Sequence, residues 1–275
     1  MNQSSPAQPR VDQKNAQFWD KLCGTHHAKQ LGIKDHSPES LARFDAWFFD
    51  YYPYLLPFLP MDGLATKDVL EIGLGYGSLS QRLAAAGCRF HGLDIAAGPV
   101  AMAAQRLEQM GLRGDVRQGS ILAPPFQPGS FDWIVSIGCL HHTGNLAAAI
   151  ENVHSLLRPG GHALIMVYNA ASYRQWILQP RVTLRQVFSD KKAYANSHAN
   201  TQMTNLYDRD SSGKGAPATE FVTKAELGHL CRAFARCRIW KKNIGGARHL
   251  FFIPRRIRLL LGPVVGLDLY CRLEK

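Results

Sequence analysis

Two adjacent histidines, His141 and His142, sit in Gly138-Cys139-Leu140-His141-His142, directly after the apolar run Phe131 to Ile137. Imidazole changes charge near neutral pH, so such a pair can take a proton from a phenol, thiol, amine or acid-like group. The same pair can equally anchor its loop. Adjacent loop residues ordinarily point apart, so one ring at most is expected to face a cleft. A second feature lies upstream in Glu71-Ile72-Gly73-Leu74-Gly75-Tyr76-Gly77, three alternate glycines behind a short apolar run. Glycine at a strand-to-helix turn lets the backbone approach a ligand closely. A dinucleotide site wants G-x-G-x-x-G, but here the last slot holds Ser78 and the third glycine falls one residue early, which excludes that fingerprint. A third feature is Asp94 at the end of Cys88-Arg89-Phe90-His91-Gly92-Leu93-Asp94. A carboxylate about twenty residues past the first glycine can accept from both ribose hydroxyls, or cap the helix that follows.

These residues need a scaffold. Val69 to Ile72 reads as a buried strand, and from Ser78 the apolar residues Leu79, Leu83 and Ala86 recur at helical spacing, with Gly87 as a stop. The segment ending at Asp94 is a second strand, followed by a helix from Ala97 to Met110. A third strand lies in Asp115 to Leu122, and a fourth runs into the paired histidines. A helix from Asn145, a Pro159-Gly160-Gly161 turn and a fifth strand ending at Tyr168-Asn169 come next. Thr223 and Glu226 have the spacing of a capping box, and the segments around Arg236–Ile244 and Leu267–Leu273 supply two last strands. Alternating strands and helices make a doubly wound sheet, whose ligands bind outside the carboxyl ends of the strands.

Glu71 to Gly77 resembles motif I of the class I S-adenosylmethionine-dependent methyltransferases, and the pieces from Val69 to Asn169 follow in that family's order. The resemblance implies an α/β fold: a doubly wound, seven-stranded, mostly parallel sheet with an N-terminal helical cap and an insertion after the fifth strand. The expected division is a disordered leader at 1–15, a helical cap at 16–62, a cofactor-binding core at 63–169, a lid at 170–220 and a completion of the sheet at 221–275. S-adenosylmethionine is the implied cofactor, with Glu71, Gly73, Gly75, Gly77, Asp94, Ile95, Ser120, Ile121 and Gly138 as its contacts. Many relatives carry an acidic residue where this chain has Ser120; a hydroxyl there can still accept one hydrogen bond. The implied activity is methyl transfer to oxygen or nitrogen of a small-molecule acceptor, with His141 and His142 as candidate bases. Tyr168, Asn169, Tyr173, Trp176 and His26 are the candidate acceptor contacts. A nucleic-acid methyltransferase and a cofactor-binding scaffold are the alternatives.

The net charge of +11 raises the question of a nucleic-acid partner. No Asn/Asp-Pro-Pro-Tyr/Phe signature is present and the basic residues are spread along the chain, so no specific nucleic acid is expected. Cys139 lacks the proline-cysteine context of a covalent nucleophile. The six cysteines stand without C-x-x-C pairs or histidines at metal spacing, so reduced thiols, no metal and a cytoplasmic setting are expected. No apolar run reaches membrane-spanning length. Arg255, Arg256 and Arg258 alternate with apolar residues, which suits a solvated helix edge better than a membrane-surface helix.

Overall fold

A computed structural model describes residues 8–22, 28, 31–188, 207–208, 214–244 and 254–275. In chain order the helices are α1 (Gln8–Leu22), α2 (Pro38–Tyr51), α3 (Ser78–Ala85), α4 (Ala97–Gln109), α5 (Leu146–Leu156), α6 (Tyr173–Leu178), α7 (Pro180–Phe188), α8 (Lys224–Leu230) and α9 (Arg255–Val265). The strands are β1 (Asp68–Ile72), β2 (Arg89–Asp94), β3 (Gly114–Gln118), β4 (Phe131–Ile137), β5 (Leu157–Tyr168), β6 (Arg236–Lys242) and β7 (Asp268–Glu274).

They form one seven-stranded sheet in the order β3-β2-β1-β4-β5-β7-β6, parallel throughout except that β7 runs antiparallel to both neighbours. The expected sheet is therefore the one observed. β1 and the middle of β5 are continuous buried runs because both faces of a parallel sheet are covered. Leu70, Ile72, Ile134, Ile165 and Leu269 pack on one face against α5 and α8, while Val69, Val135, Leu164 and Tyr270 pack on the other with α3 and α4. The edge strand β6 carries Arg236, Arg238, Lys241 and Lys242, charges that discourage pairing with another chain and absorb part of the positive excess.

Local signals in the sequence explain most element ends. Ser37 accepts from the Ser40 N–H and Pro38 opens α2. Thr223 and Glu226 form the reciprocal capping box of α8. Two expectations differ. Residues 8–15 are the first half of α1, held by tertiary contacts described below, and not an unstructured leader. Pro159-Gly160-Gly161 does not separate helix from strand: it is taken into β5 as an irregularity, where the pairing register with β4 shifts between Phe131 and Trp133. The helix expected around Arg255 forms, but it leaves Ile257, Leu260 and Val264 exposed beside its basic residues.

Candidate active site

The glycine turn joins β1 to α3 with Gly73, Gly75 and Gly77 all at positive φ. A side chain at Gly73 would collide with Cys139, its Cβ falling 2.4 Å from that residue's Cβ, so the turn lies directly against the loop that follows β4. Nothing lies within 4 Å of the corresponding point at Gly75, which faces open space. The loop thus presents bare backbone to open space at its middle glycine, a cradle with room for the implied cofactor.

The carboxylates around this turn are not equally available. Glu71 is buried and accepts from the Ser80 hydroxyl at 2.5 Å; burial pushes its acid up to about 8. Asp94 accepts from the Leu74 N–H at 2.8 Å and the Ala96 N–H at 2.9 Å, with the N–H groups of Ile95 and Gly75 also directed at it. Burial raises its acid to about 6 and those N–H bonds oppose the rise. Each carboxylate oxygen of Asp94 thus accepts a backbone N–H, one from each of the two turns it joins. Its first role is to hold the glycine loop in shape. Ser120 is similarly occupied, accepting from the Leu122 N–H at 3.2 Å. Ile95 offers its carbonyl to Gln118, Ile121 is buried with its carbonyl on Asn152, and the Gly138 N–H donates to the Met166 carbonyl.

The N-terminal helices cover this turn. Phe44 of α2 lies 4.2 Å from the ring of Tyr76, inside the glycine motif. Arg106 of α4, fully buried, bonds Asp45 of α2 and Gln81 of α3, which ties the cap to the helix behind the turn. α1 reaches further. Its Asp20 accepts from the Gly98 N–H in the first turn of α4, where a helix favours negative charge, and Asn15 donates to the His142 carbonyl at 2.7 Å.

His141 and His142 lie in a 3₁₀ turn after β4 and are both buried. They do not diverge: the rings pack 4.1 Å apart, and His141 packs equally close on Tyr168 at the end of β5. The Nδ1 atom of His142 is 2.9 Å from the Ala218 carbonyl, which can only accept, so that nitrogen carries the hydrogen. Its Nε2 is then bare in the neutral ring, and it faces the Asp208 carboxylate at 3.5 Å. Tyr168 donates its hydroxyl to both oxygens of Asp208, at 3.2 and 3.0 Å. Burial lowers the basicity of His142 and Asp208 works against that; burial and His142 hold His141 well below the usual imidazole value. Among the described residues neither nitrogen of His141 has a hydrogen-bond partner. A neutral imidazole beside a carboxylate is poised to receive a proton.

Asp208 and Asp268 were missed by sequence reasoning. Asp208 belongs to the insertion, sixty-six positions beyond His142, in a stretch without chemical signature. Asp268 pairs with Tyr168 across β5 and β7, accepts from Asn243 at 2.9 Å, and is pushed by burial up to about 7. The aromatic wall around them includes Tyr207, Phe221 and Trp19, whose ring lies 4.7 Å from His142. Next to Asn243 a groove of 420 Å³ opens between Tyr54, Phe58, Lys242 and Leu259.

Of the expected acceptor contacts, Tyr168 joins this cluster and Tyr173 is half-buried near Tyr51. Asn169 does not point at the cleft. Its amide donates to the Gly266 carbonyl and accepts from the Ala171 N–H, since a fully buried amide must satisfy itself within the fold. Trp176 is 36% exposed on the outer side of α6, while Gln175 takes the buried position. His26 lies outside the described residues. Cys139 is no nucleophile: burial pushes its thiol up, away from the reactive thiolate.

Residues 69–161, about a third of the chain, match the family described as a methyltransferase domain. The ubiquinone biosynthesis O-methyltransferase of Pseudomonas aeruginosa (strain UCBPP-PA14) is 36% identical over 110 residues, covering 39% of this chain and 47% of that protein. Its counterpart in Azotobacter vinelandii is 33% identical over 107 residues, covering 38% and 46%. The chain thus spans about half the length of the curated relatives it matches. Among solved structures, an S-adenosylmethionine-dependent methyltransferase from Mesorhizobium loti superposes with a TM-score of 0.56 at 17% identity, over 82% of this chain and 97% of that one. One from Methanosarcina mazei gives 0.51 at 17%, over 82% and 97%. The fold is that of the class I methyltransferases, and residues 69–161 are similar in sequence to methyltransferase domains.

Proposed function

We propose that the chain is an S-adenosylmethionine-dependent methyltransferase that methylates a hydroxyl oxygen of a small aromatic acceptor. The observation that carries the reading is the chain Tyr168–Asp208–His142, built at the carboxyl ends of β4 and β5 on the loop that touches Gly73. S-adenosylmethionine, when bound, supplies a sulfonium methyl open to in-line attack, and its thioether leaves without help from an acid. The protein therefore has to bind the acceptor, orient its oxygen and take its proton.

His142 is suited to the last task. It is neutral at pH 7 because burial disfavours its charge, and among the described residues the lone pair on Nε2 meets no donor. Once the acceptor's proton has moved to Nε2, the imidazolium donates to the Ala218 carbonyl on one side and to Asp208 on the other. His141 stays neutral and offers an N–H to the acceptor oxygen. Tyr168 keeps Asp208 aimed by donating to it. The rings of Trp19, Tyr207 and Phe221 suit an aromatic acceptor and keep water from the transfer. The names of the relatives, which act in ubiquinone biosynthesis, fit a phenolic hydroxyl. Glu71, Gly73, Gly75, Gly77 and Gly138 would hold the cofactor, with Asp94 fixing their loop. Among the described residues no helix is long and apolar enough to cross a membrane, and reduced free thiols fit a cytoplasmic enzyme.

The test is turnover of methyl-labelled S-adenosylmethionine with matched panels of catechols, simple phenols and aromatic amines, with the product atom identified by mass spectrometry and NMR. The reading expects O-methylated phenols. Label on nitrogen alone, or binding of the cofactor without turnover of any phenol, overturns it.

A further inference from the structure

Away from the glycine turn, three of the cysteines that are scattered in sequence come together. Cys231 ends α8, Cys237 lies in β6 and Cys271 in β7, and their sulfurs all lie within 4.8 Å of one another. Cys231 and Cys271 belong to the buried core under α8, whereas Cys237 opens to solvent on the edge strand. We propose that this triad is a binding site for a thiophilic d¹⁰ cation, zinc(II) in the first place, held by three thiolates with a fourth position open to water at the Cys237 side.

The geometry favours a metal over a disulfide. A metal–sulfur bond of about 2.3 Å places the sulfurs of a shared ion about 3.8–4.0 Å apart. The Cys237 and Cys271 sulfurs are 3.4 Å apart and the widest pair is no more than 4.8 Å, so shifts of about half an ångström on each side close the site. A disulfide fits worse. Cys237 stands opposite Leu273 and Cys271 opposite Ile239, which makes the two cysteines diagonal neighbours. Diagonal Cα atoms lie roughly 7–8 Å apart, beyond the about 4.4–6.8 Å that a disulfide takes. The third sulfur, from the helix above the strands, has no place in a disulfide and an obvious one in a three-sulfur cage.

The chemistry is consistent with this cage. Binding converts three thiols to thiolates and releases three protons to solvent, leaving a site of net charge −1 with a divalent ion. Cys237, the member open to solvent on the edge strand, is the natural point of first attachment. The ion would bind the last turn of α8 to β6 and β7, the antiparallel edge that completes the sheet. The three ligands belong to α8, β6 and β7 and are not among the residues used in the methyl-transfer reading, so the two proposals are tested separately.

Cadmium(II) serves as the probe, because thiolate coordination gives it a strong ultraviolet charge-transfer band. The full-length reduced protein, freed of metal, is titrated with cadmium and then with zinc as a competitor. We expect equimolar saturation, displacement by zinc, and a thermal midpoint that rises with either ion. Cys237→Ser, at a solvent-open position that leaves the core intact, should weaken cadmium binding by at least about tenfold to a hundredfold. Cys88→Ser, outside the triad, should leave the titration unchanged. Absence of a saturable thiolate band, the same affinity in the Cys237→Ser protein, or a loss of two hydrogens by mass with no metal uptake overturns the proposal.

Discussion

Replacing Asp208 by asparagine removes one negative charge beside His142 and leaves the shape of the site nearly intact. The two groups are 3.5 Å apart, and the Asp208 side chain is 20% exposed. At that separation the attraction between a unit charge on each is about 5 kcal/mol for an effective dielectric of about 20, and about 1 kcal/mol in water. Partial exposure puts the working value between, at about 2–3 kcal/mol, which corresponds to roughly a 30- to 160-fold fall in kcat. The introduced amide adds to the loss, because its N–H can donate to the bare Nε2 and occupy the lone pair meant for the acceptor's proton. The pH profile carries the sign. Asp208 favours the imidazolium, so its removal lowers the His142 pKa further below the ordinary value and shifts the acid limb of the kcat profile to lower pH. The assay is steady-state transfer from labelled S-adenosylmethionine to a phenolic acceptor across pH 4.5–9, a range of about four and a half units around the ordinary imidazole pKa, with calorimetric cofactor binding as the control for folding. A kcat within about a factor of two of the parent, with an unmoved acid limb and intact cofactor binding, would refute the role given to the pair.

Asp94→Asn exchanges two accepting lone pairs for donors that face the N–H groups of Leu74 or Ala96, so cofactor affinity should fall by about 1–3 kcal/mol in calorimetry. Unchanged affinity would mean the glycine loop keeps its shape without that carboxylate. Glu71 titrates near 4.5 when unfolded and near 8 when folded, so the folded state holds the extra proton between those values. The Glu71 contribution to stability should therefore be full below about pH 4.5 and be lost as pH rises to about 8; Glu71→Gln should flatten that part of the profile in chemical-denaturation midpoints. Trp176→Ala should leave kcat and KM within about a factor of two, since the indole faces outward, and a rise of KM beyond tenfold would return it to the acceptor site. Phe44→Ala removes the ring packed on Tyr76 and should cost about 3–5 kcal/mol of stability while weakening cofactor binding.

What the sequence by itself determined is what depends on neighbours along the chain. The glycine turn is legible because positive φ at successive alternate positions leaves few residue types available. The capping box of Thr223 and Glu226 is legible because both bonds close within one helical turn. The order and burial of β1, β4 and β5 follow from apolar runs separated by helical periods, and short right-handed connections leave few ways to arrange them. The site needed more than this. His141 and His142 were legible as candidate bases, but not which nitrogen of His142 carries the hydrogen: the Ala218 carbonyl and Asp208 decide that, and both arrive from the insertion. Asn169 and Trp176 were placed at the cleft by their position after β5, yet helix phase turns the indole outward and burial commits the amide to Gly266. Asp94 matched a ribose-binding position, and the backbone N–H groups of Leu74 and Ala96 that its carboxylate also accepts from are revealed by no spacing. Cys231, Cys237 and Cys271 carry no metal spacing, because the pairing of β6 with β7 and the docking of α8 create their proximity. Contacts between residues distant in sequence are set by packing geometry, and a pattern read along the chain holds no record of which side chain will meet which across the sheet.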